Sequence, residues 1–142
     1  MAIAKTPTIL DSNVVLDLLL IDPAWYRWSA RQMADSLALG PLIINSIVFA
    51  ESAPRFGDWG SLQRSMSQLG FEFEHLPWEA CFEAGKVHVV YRKAGGTRER
   101  TLPDFLIGAH AQARGCRLLT RDPVRYRSYF PDLDIIAPDT HP

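Results

Sequence analysis

"LPDFLIGAHAQARGCRLLTRD", residues 102–122, holds the change of period that decides the fold. From Pro103 to Arg114 nearly every side chain is apolar or small, which describes a helix buried on most sides rather than one lying on a surface. "RLLT" (117–120) then reads as a short buried strand, and Asp122-Pro123 as the place where that strand has stopped and a new helix starts. Asp104 opens the buried helix and Asp122 closes the strand. Asp122 is therefore either a helix cap or one of several acids held at one edge of a sheet.

The same alternation extends in both directions. "PTIL" (7–10) leads into Asp11, and "SNVVLDLLL" (12–20) reads as a helix that stops before Asp22-Pro23. Residues 24–39 are helical by period and end at Gly40-Pro41. "LII" (42–44) is a strand, with Ser46 as a cap for the helix that carries Glu51. A helix over 60–69, a half-exposed strand "FEFEHL" (71–76) and a helix over 79–93 follow, the last presenting Ala80, Ala84, Val87 and Tyr91 on one face. "DIIA" (134–137) supplies the last strand. The pattern is that of one α/β domain over residues 1–142, with a mostly parallel sheet, helices on both faces and a short tail from about 138.

Composition narrows the function classes. The 142 residues are 47% apolar and 22% charged, as in ordinary globular chains, and the sequence shows no run long enough for a membrane helix and no signal-peptide core. A cytoplasmic protein without a membrane partner is the expectation. Cys81 and Cys116 form no Cys-x-x-Cys, and His75, His88, His110 and His141 form no pair at metal-ligand spacing, which argues against a disulfide framework or zinc. The net charge of −1 conceals a basic band: residues 86–127 carry ten Lys/Arg against Glu99, Asp104 and Asp122. Such a band suits a polyanion, or is a set of solvated arginines on helix faces.

Ligand sites in open α/β sheets form beyond the carboxyl ends of the strands. Asp11, Asp104 and Asp122 all fall at strand ends or helix starts on that edge, and Glu51 reaches it with its longer side chain. Each acid alone has a plain explanation: Asp11 and Asp122 as caps, Glu51 as a surface residue. Asp104 is harder to dismiss, because a carboxylate at the start of a buried helix is costly unless paired, capping or bound to metal. Four carboxylates together repel unless a cation is present, and a hard divalent ion such as Mg²⁺ or Mn²⁺ prefers oxygen ligands and can activate water toward a phosphodiester. Thr120 and Ser46, at strand ends, are placed to hydrogen-bond ligand waters or to cap.

"ILDSNVVLDLL", "INSIVFAE", "LPDFLIGAHAQARGCRLLTRD" and "YFPDLDIIAP", in this order and spacing, resemble a PIN domain, and within it the VapC-type toxin ribonucleases of bacterial toxin–antitoxin pairs. The likeness spans nearly the whole chain and is weakest between residues 55 and 100. It implies an endoribonuclease dependent on Mg²⁺ or Mn²⁺, with Asp11 and Asp104 as main metal ligands and catalytic groups. Glu51 and Asp122 complete the pocket, and Asn13, Ser46 and Thr120 support it. It implies an antitoxin partner and a homodimer. Arg98, Arg100, Arg121, Arg125 and Arg127 are candidates to grip the RNA backbone, with Arg121 facing solvent or phosphate. On residues 24–39, Tyr26, Ala30, Met33 and Leu37 share one face, while Trp25 and Trp28 lie among polar residues on the other. Those tryptophans form an interface or lie under a neighbouring loop.

Two other readings fit parts of the pattern. A phosphatase of the haloacid-dehalogenase type also places an Asp after its first strand, but needs a second acid where this chain has Asn13. A binding module on the same fold would use RNA or protein contacts without catalysis.

Overall fold

Five parallel strands form the sheet in the computed structural model, which describes residues 5–98 and 101–142. They are β1 (Thr8–Leu10), β2 (Leu42–Ile44), β3 (Phe71–Phe73), β4 (Arg117–Leu119) and β5 (Ile135–Ile136), in spatial order β3-β2-β1-β4-β5. Seven α-helices connect them among the described residues: α1 (Ser12–Leu19), α2 (Tyr26–Leu39), α3 (Ser46–Ser52), α4 (Trp59–Gln68), α5 (Trp78–Lys93), α6 (Leu102–Arg114) and α7 (Val124–Tyr129). The expected helices and strands are all present, most within a residue or two of their sequence limits, and the sheet is parallel throughout.

The order of the strands explains where a site must lie. From β1 the chain steps outward to β2 and then β3, and after α5 and α6 it returns to the far side of β1 to form β4 and β5. Right-handed crossovers therefore put α1–α4 on one face and α5–α7 on the other. The direction reverses between β1 and β4, and in open sheets of this kind the ligand crevice lies beyond the strand ends at that point. Both central strands are apolar without alternation because both faces are covered: Ile9, Leu10, Leu118 and Leu119 are fully buried. Their register, Ile9 opposite Leu118 and Leu10 opposite Leu119, brings the residues after them, Asp11 and Thr120, side by side.

Helix α6 occupies the buried position that its composition demands. Phe105, Ile107, Gly108, Ala109, His110 and Ala111 are all buried, and Gly115 ends the helix in the left-handed conformation at φ 62°. Gly108 has a packing reason: a Cβ built there would stand 2.5 Å from the Phe130 ring, itself 2% exposed and stacked near Phe105. Gly108→Ala is expected to destabilise the fold by about 1–3 kcal/mol, the usual cost of overpacking, despite its better helix propensity. A thermal melt at unchanged or raised midpoint would contradict this.

Helix α2 packs with a face turned about a quarter of the way round from the one its apolar period suggests: Ala30 and Met33 still pack against the core, but the most buried residues are polar. Ser29, Gln32 and Ser36 are buried and Trp28 packs against the core, whereas Tyr26 and Leu37 are 39% and 49% exposed. The reason is polar. Ser29 Oγ donates to the buried Asp17 at 2.7 Å, and the C-terminal tail docks on the helix, with Trp28 Nε1 donating to the His141 carbonyl at 2.6 Å. Arg121 lies over the Trp25 ring at 4.9 Å. Both tryptophans are half-buried against this chain's own segments, Trp25 under Arg121 and Trp28 under the C-terminal tail.

Candidate active site

Asp11 follows β1 directly and is 4% exposed. It caps α1, accepting from Ser12 N at 2.8 Å, and its other oxygen accepts from Thr120 Oγ1 at 2.8 Å and Tyr126 Oη at 3.0 Å. Capping and site duty therefore coexist in one carboxylate. Burial raises its pKa above the ordinary value, the hydrogen bonds from Thr120, Tyr126 and Ser12 oppose that rise, and the charge of Asp122 adds to it.

Asp104 stands in the first turn of α6, just after Pro103, and its side chain is 27% exposed. Its pKa is raised to about 6, first by burial and then by the charges of Asp11, Glu51 and Asp122, against the opposing charge of Arg125. Arg125 Nη1 pairs with Asp104 Oδ2. Glu51 is more exposed than its apolar neighbours in sequence suggest, but it accepts from Ser12 Oγ at 3.1 Å. Partial desolvation raises its pKa, with Asp11 contributing. Asp122 is exposed and contributes charge to both Asp11 and Asp104. Asp11 and Glu51 are joined through Ser12, Asp11 and Asp104 are held by adjacent residues of α7, and Asp122 follows Thr120 by two residues.

Two supporting residues fall in place and one does not. Thr120, fully buried, donates to Asp11 and accepts from Asp122 N at 3.0 Å. Asn13 reaches Asp11 and Thr120 with its amide nitrogen at 3.5 Å each, and its oxygen accepts from Arg121 N at 3.2 Å. A carboxamide held this way supplies no second acid, which removes the basis of the phosphatase reading. Ser46 is neither the cap nor a partner of the acids. Asn45 caps α3 instead, accepting from Ile47 N and Val48 N at 3.0 Å each, because it stands one residue earlier in an extended conformation. Asp122 is likewise not the cap of α7: Pro123 holds that position without a side-chain bond, and the Thr120 hydroxyl takes the Asp122 amide.

The arginines need a larger correction. Arg121 does not face solvent or phosphate; it forms a two-point pair with the 2%-exposed Asp17, Nε to Oδ2 at 2.8 Å and Nη2 to Oδ1 at 3.0 Å. Arg127 pairs with Asp139 near the surface, and Arg125 is engaged by Asp104. Arg98 is exposed, its backbone amide donating to Tyr91 Oη at 3.1 Å. Arg100 lies outside the described residues.

Three contributions were not read from the sequence. Tyr126 is the buried donor to Asp11, and no local pattern marks it. Asp17 was legible only as an acid interrupting "VVLDLLL". Behind the site, fully buried His110 joins Glu74 through Nε2 at 2.7 Å and the α3 cap Asn45 through Nδ1 at 3.0 Å. Burial lowers the His110 pKa, against the opposing hydrogen bond and charge of Glu74.

The donor set suits a hard divalent ion in kind, since it is all oxygen and carries excess negative charge. Among the described residues, however, no three His, Cys, Asp or Glu side chains are gathered closely enough to hold a metal as they stand.

An open parallel α/β sheet with an acidic crevice at its switch point defines the class, and the chain belongs to the PIN domain family, whose model matches residues 8–130. No curated protein sequence matches it. Among solved structures, a chain of VapBC2 from Rickettsia felis, bound to a DNA fragment from its promoter, superposes with a TM-score of 0.68 at 19% identity, over 93% of this chain and 98% of that one. A chain of FitAcB from Neisseria gonorrhoeae gives 0.65 at 18%, over 91% and 96%. The sarcin-ricin loop cleaving toxin VapC20 of Mycobacterium tuberculosis gives 0.59 at 16%, over 78% and 85%. Among the described residues no helix is long and apolar enough to cross a membrane.

Proposed function

We propose that this PIN domain is the toxin of a toxin–antitoxin pair and an endoribonuclease dependent on Mg²⁺ or Mn²⁺. The observation that carries the reading is how few residues tie the acids together beyond β1: Ser12 donates to both Asp11 and Glu51, Thr120 links Asp11 to the Asp122 backbone, and adjacent residues of α7 hold Asp11 and Asp104. Asp11 and Asp104 would hold the ion, with Glu51 and Asp122 completing its surroundings. When bound, the ion supplies charge for the phosphate and a more acidic water. The chain's own residues do the positioning: Thr120 and Tyr126 fix the Asp11 carboxylate, and Ser12 orients Glu51. Arg98 and Arg100 remain the candidates for sequence-independent contacts with the RNA backbone. Single-stranded or looped RNA is the favoured substrate because its bases are accessible. The structural relatives found as VapBC and FitAcB complexes support an antitoxin partner and a dimer.

The test is incubation of purified, partner-free chain with a panel of structured RNAs in Mg²⁺, Mn²⁺ or EDTA. Cuts that need the metal are expected; a panel left intact in both metals by folded protein would refute the reading. A pH series adds a second check. The Asp104 carboxyl has its pKa raised to about 6, so below that value it is mostly protonated and a poor ligand. The concentration of Mg²⁺ needed for half-maximal cleavage is expected to rise as pH falls from 7 to 5, and a constant requirement over that range would contradict it.

A further inference from the structure

Two neighbouring residues of α7 attend to two different acids of the crevice. Tyr126 donates to Asp11, and Arg125 reaches across to Asp104. The Arg125 side chain is only 16% exposed, less than the 27% of the Asp104 side chain it pairs with. The other arginines of the basic band with a carboxylate partner are engaged elsewhere: Arg114 with Glu74, Arg117 with Asp134, Arg121 with Asp17 and Arg127 with Asp139. Among the described residues, Arg125 is the cation paired with one of the four acids. The acids themselves are not gathered for a metal.

We propose that Arg125 is an internal counter-ion that occupies the crevice of the free chain, competes with the divalent ion for Asp104, and is released to contact phosphate when RNA enters. The inference rests on the nuclease reading for the last step only. Arg125 takes Oδ2 of Asp104, so the competition is one of charge: a fixed positive group paired with the carboxylate repels a divalent ion that approaches the same carboxylate, all the more in a partly desolvated site. Phosphate is a natural second partner for the same fork of donors. A neutral residue at position 125 therefore frees Asp104 for metal and removes one backbone contact from RNA.

The experiment is a Mn²⁺ titration followed by electron paramagnetic resonance, without RNA, on wild type, Arg125→Gln and Asp104→Asn. Arg125→Gln is expected to bind Mn²⁺ at least about tenfold more tightly than wild type, and Asp104→Asn more weakly. In EDTA, Arg125→Gln is expected to bind RNA more weakly and with a salt slope smaller by about one. Should Arg125→Gln fail to fold, Arg125→Met, which keeps the packing of the stem, takes its place. Unchanged or weaker Mn²⁺ affinity in the folded neutral variant overturns the proposal, as does absence of Mn²⁺ binding in every protein. Tighter, Asp104-dependent binding with no RNA cleavage would leave the counter-ion standing and remove the nuclease reading. Cleavage with unchanged Mn²⁺ affinity would do the reverse.

Discussion

Asp104→Asn is expected to reduce metal-dependent RNA cleavage by at least about 10²-fold, because a neutral amide is a far weaker ligand than a carboxylate for the hard divalent ion that activates the water. The fold should survive. The Asp104 side chain is 27% exposed, its charged form is disfavoured by burial and by three neighbouring acids, and an amide of the same shape relieves that repulsion while its oxygen still accepts from Arg125. The same change at Asp11 is a less clean probe, because its two oxygens accept from Ser12, Thr120 and Tyr126 and an amide nitrogen cannot. Kinetics and a thermal melt on the same Asp104→Asn preparation separate the two effects. Wild-type cleavage rates in a folded variant would remove Asp104 from the site.

Arg121→Ala is expected to cost about 3–5 kcal/mol, since it leaves the carboxylate of Asp17 buried without its partner. Ser29 alone would remain to hold that charge, and Trp25 would lose the guanidinium that covers it. For a chain of this size the loss corresponds to a fall in melting temperature of roughly 10 °C or more. The double change Asp17→Leu with Arg121→Met is expected to recover most of the loss, because it removes both charges together. A single-variant melt within about 2 °C of wild type would show that the pair is not structural.

Much of this was legible in the residues. The strands announced themselves because a parallel sheet covered on both faces leaves no polar alternation, as in "PTIL", "LII" and "RLLT". The acids at the strand ends were legible for a related reason: apolar runs that stop at Asp11 and Asp122 mark the sheet edge, where topology alone predicts a crevice. Pairings between distant segments were not legible. The two-point bond between Asp17 and Arg121 spans 104 positions in sequence, and it turned the packed face of α2 toward its polar side, where Ser29 and the C-terminal tail at His141 join in. Local cap chemistry misled at Ser46 for a smaller reason. Asn45 and Ser46 are both good caps, and the one placed where the strand's extended backbone ends takes the role.

The most direct measurement is the chemistry of the RNA ends left by the wild-type protein in Mn²⁺, with EDTA alongside. A water nucleophile leaves a linear phosphate on one fragment and a free hydroxyl on the other, and cuts should vanish in EDTA. Fragments ending in 2′,3′-cyclic phosphate would show that the ribose 2′-hydroxyl rather than water attacks, cuts indifferent to EDTA would show that no divalent ion is needed, and either result would contradict the account.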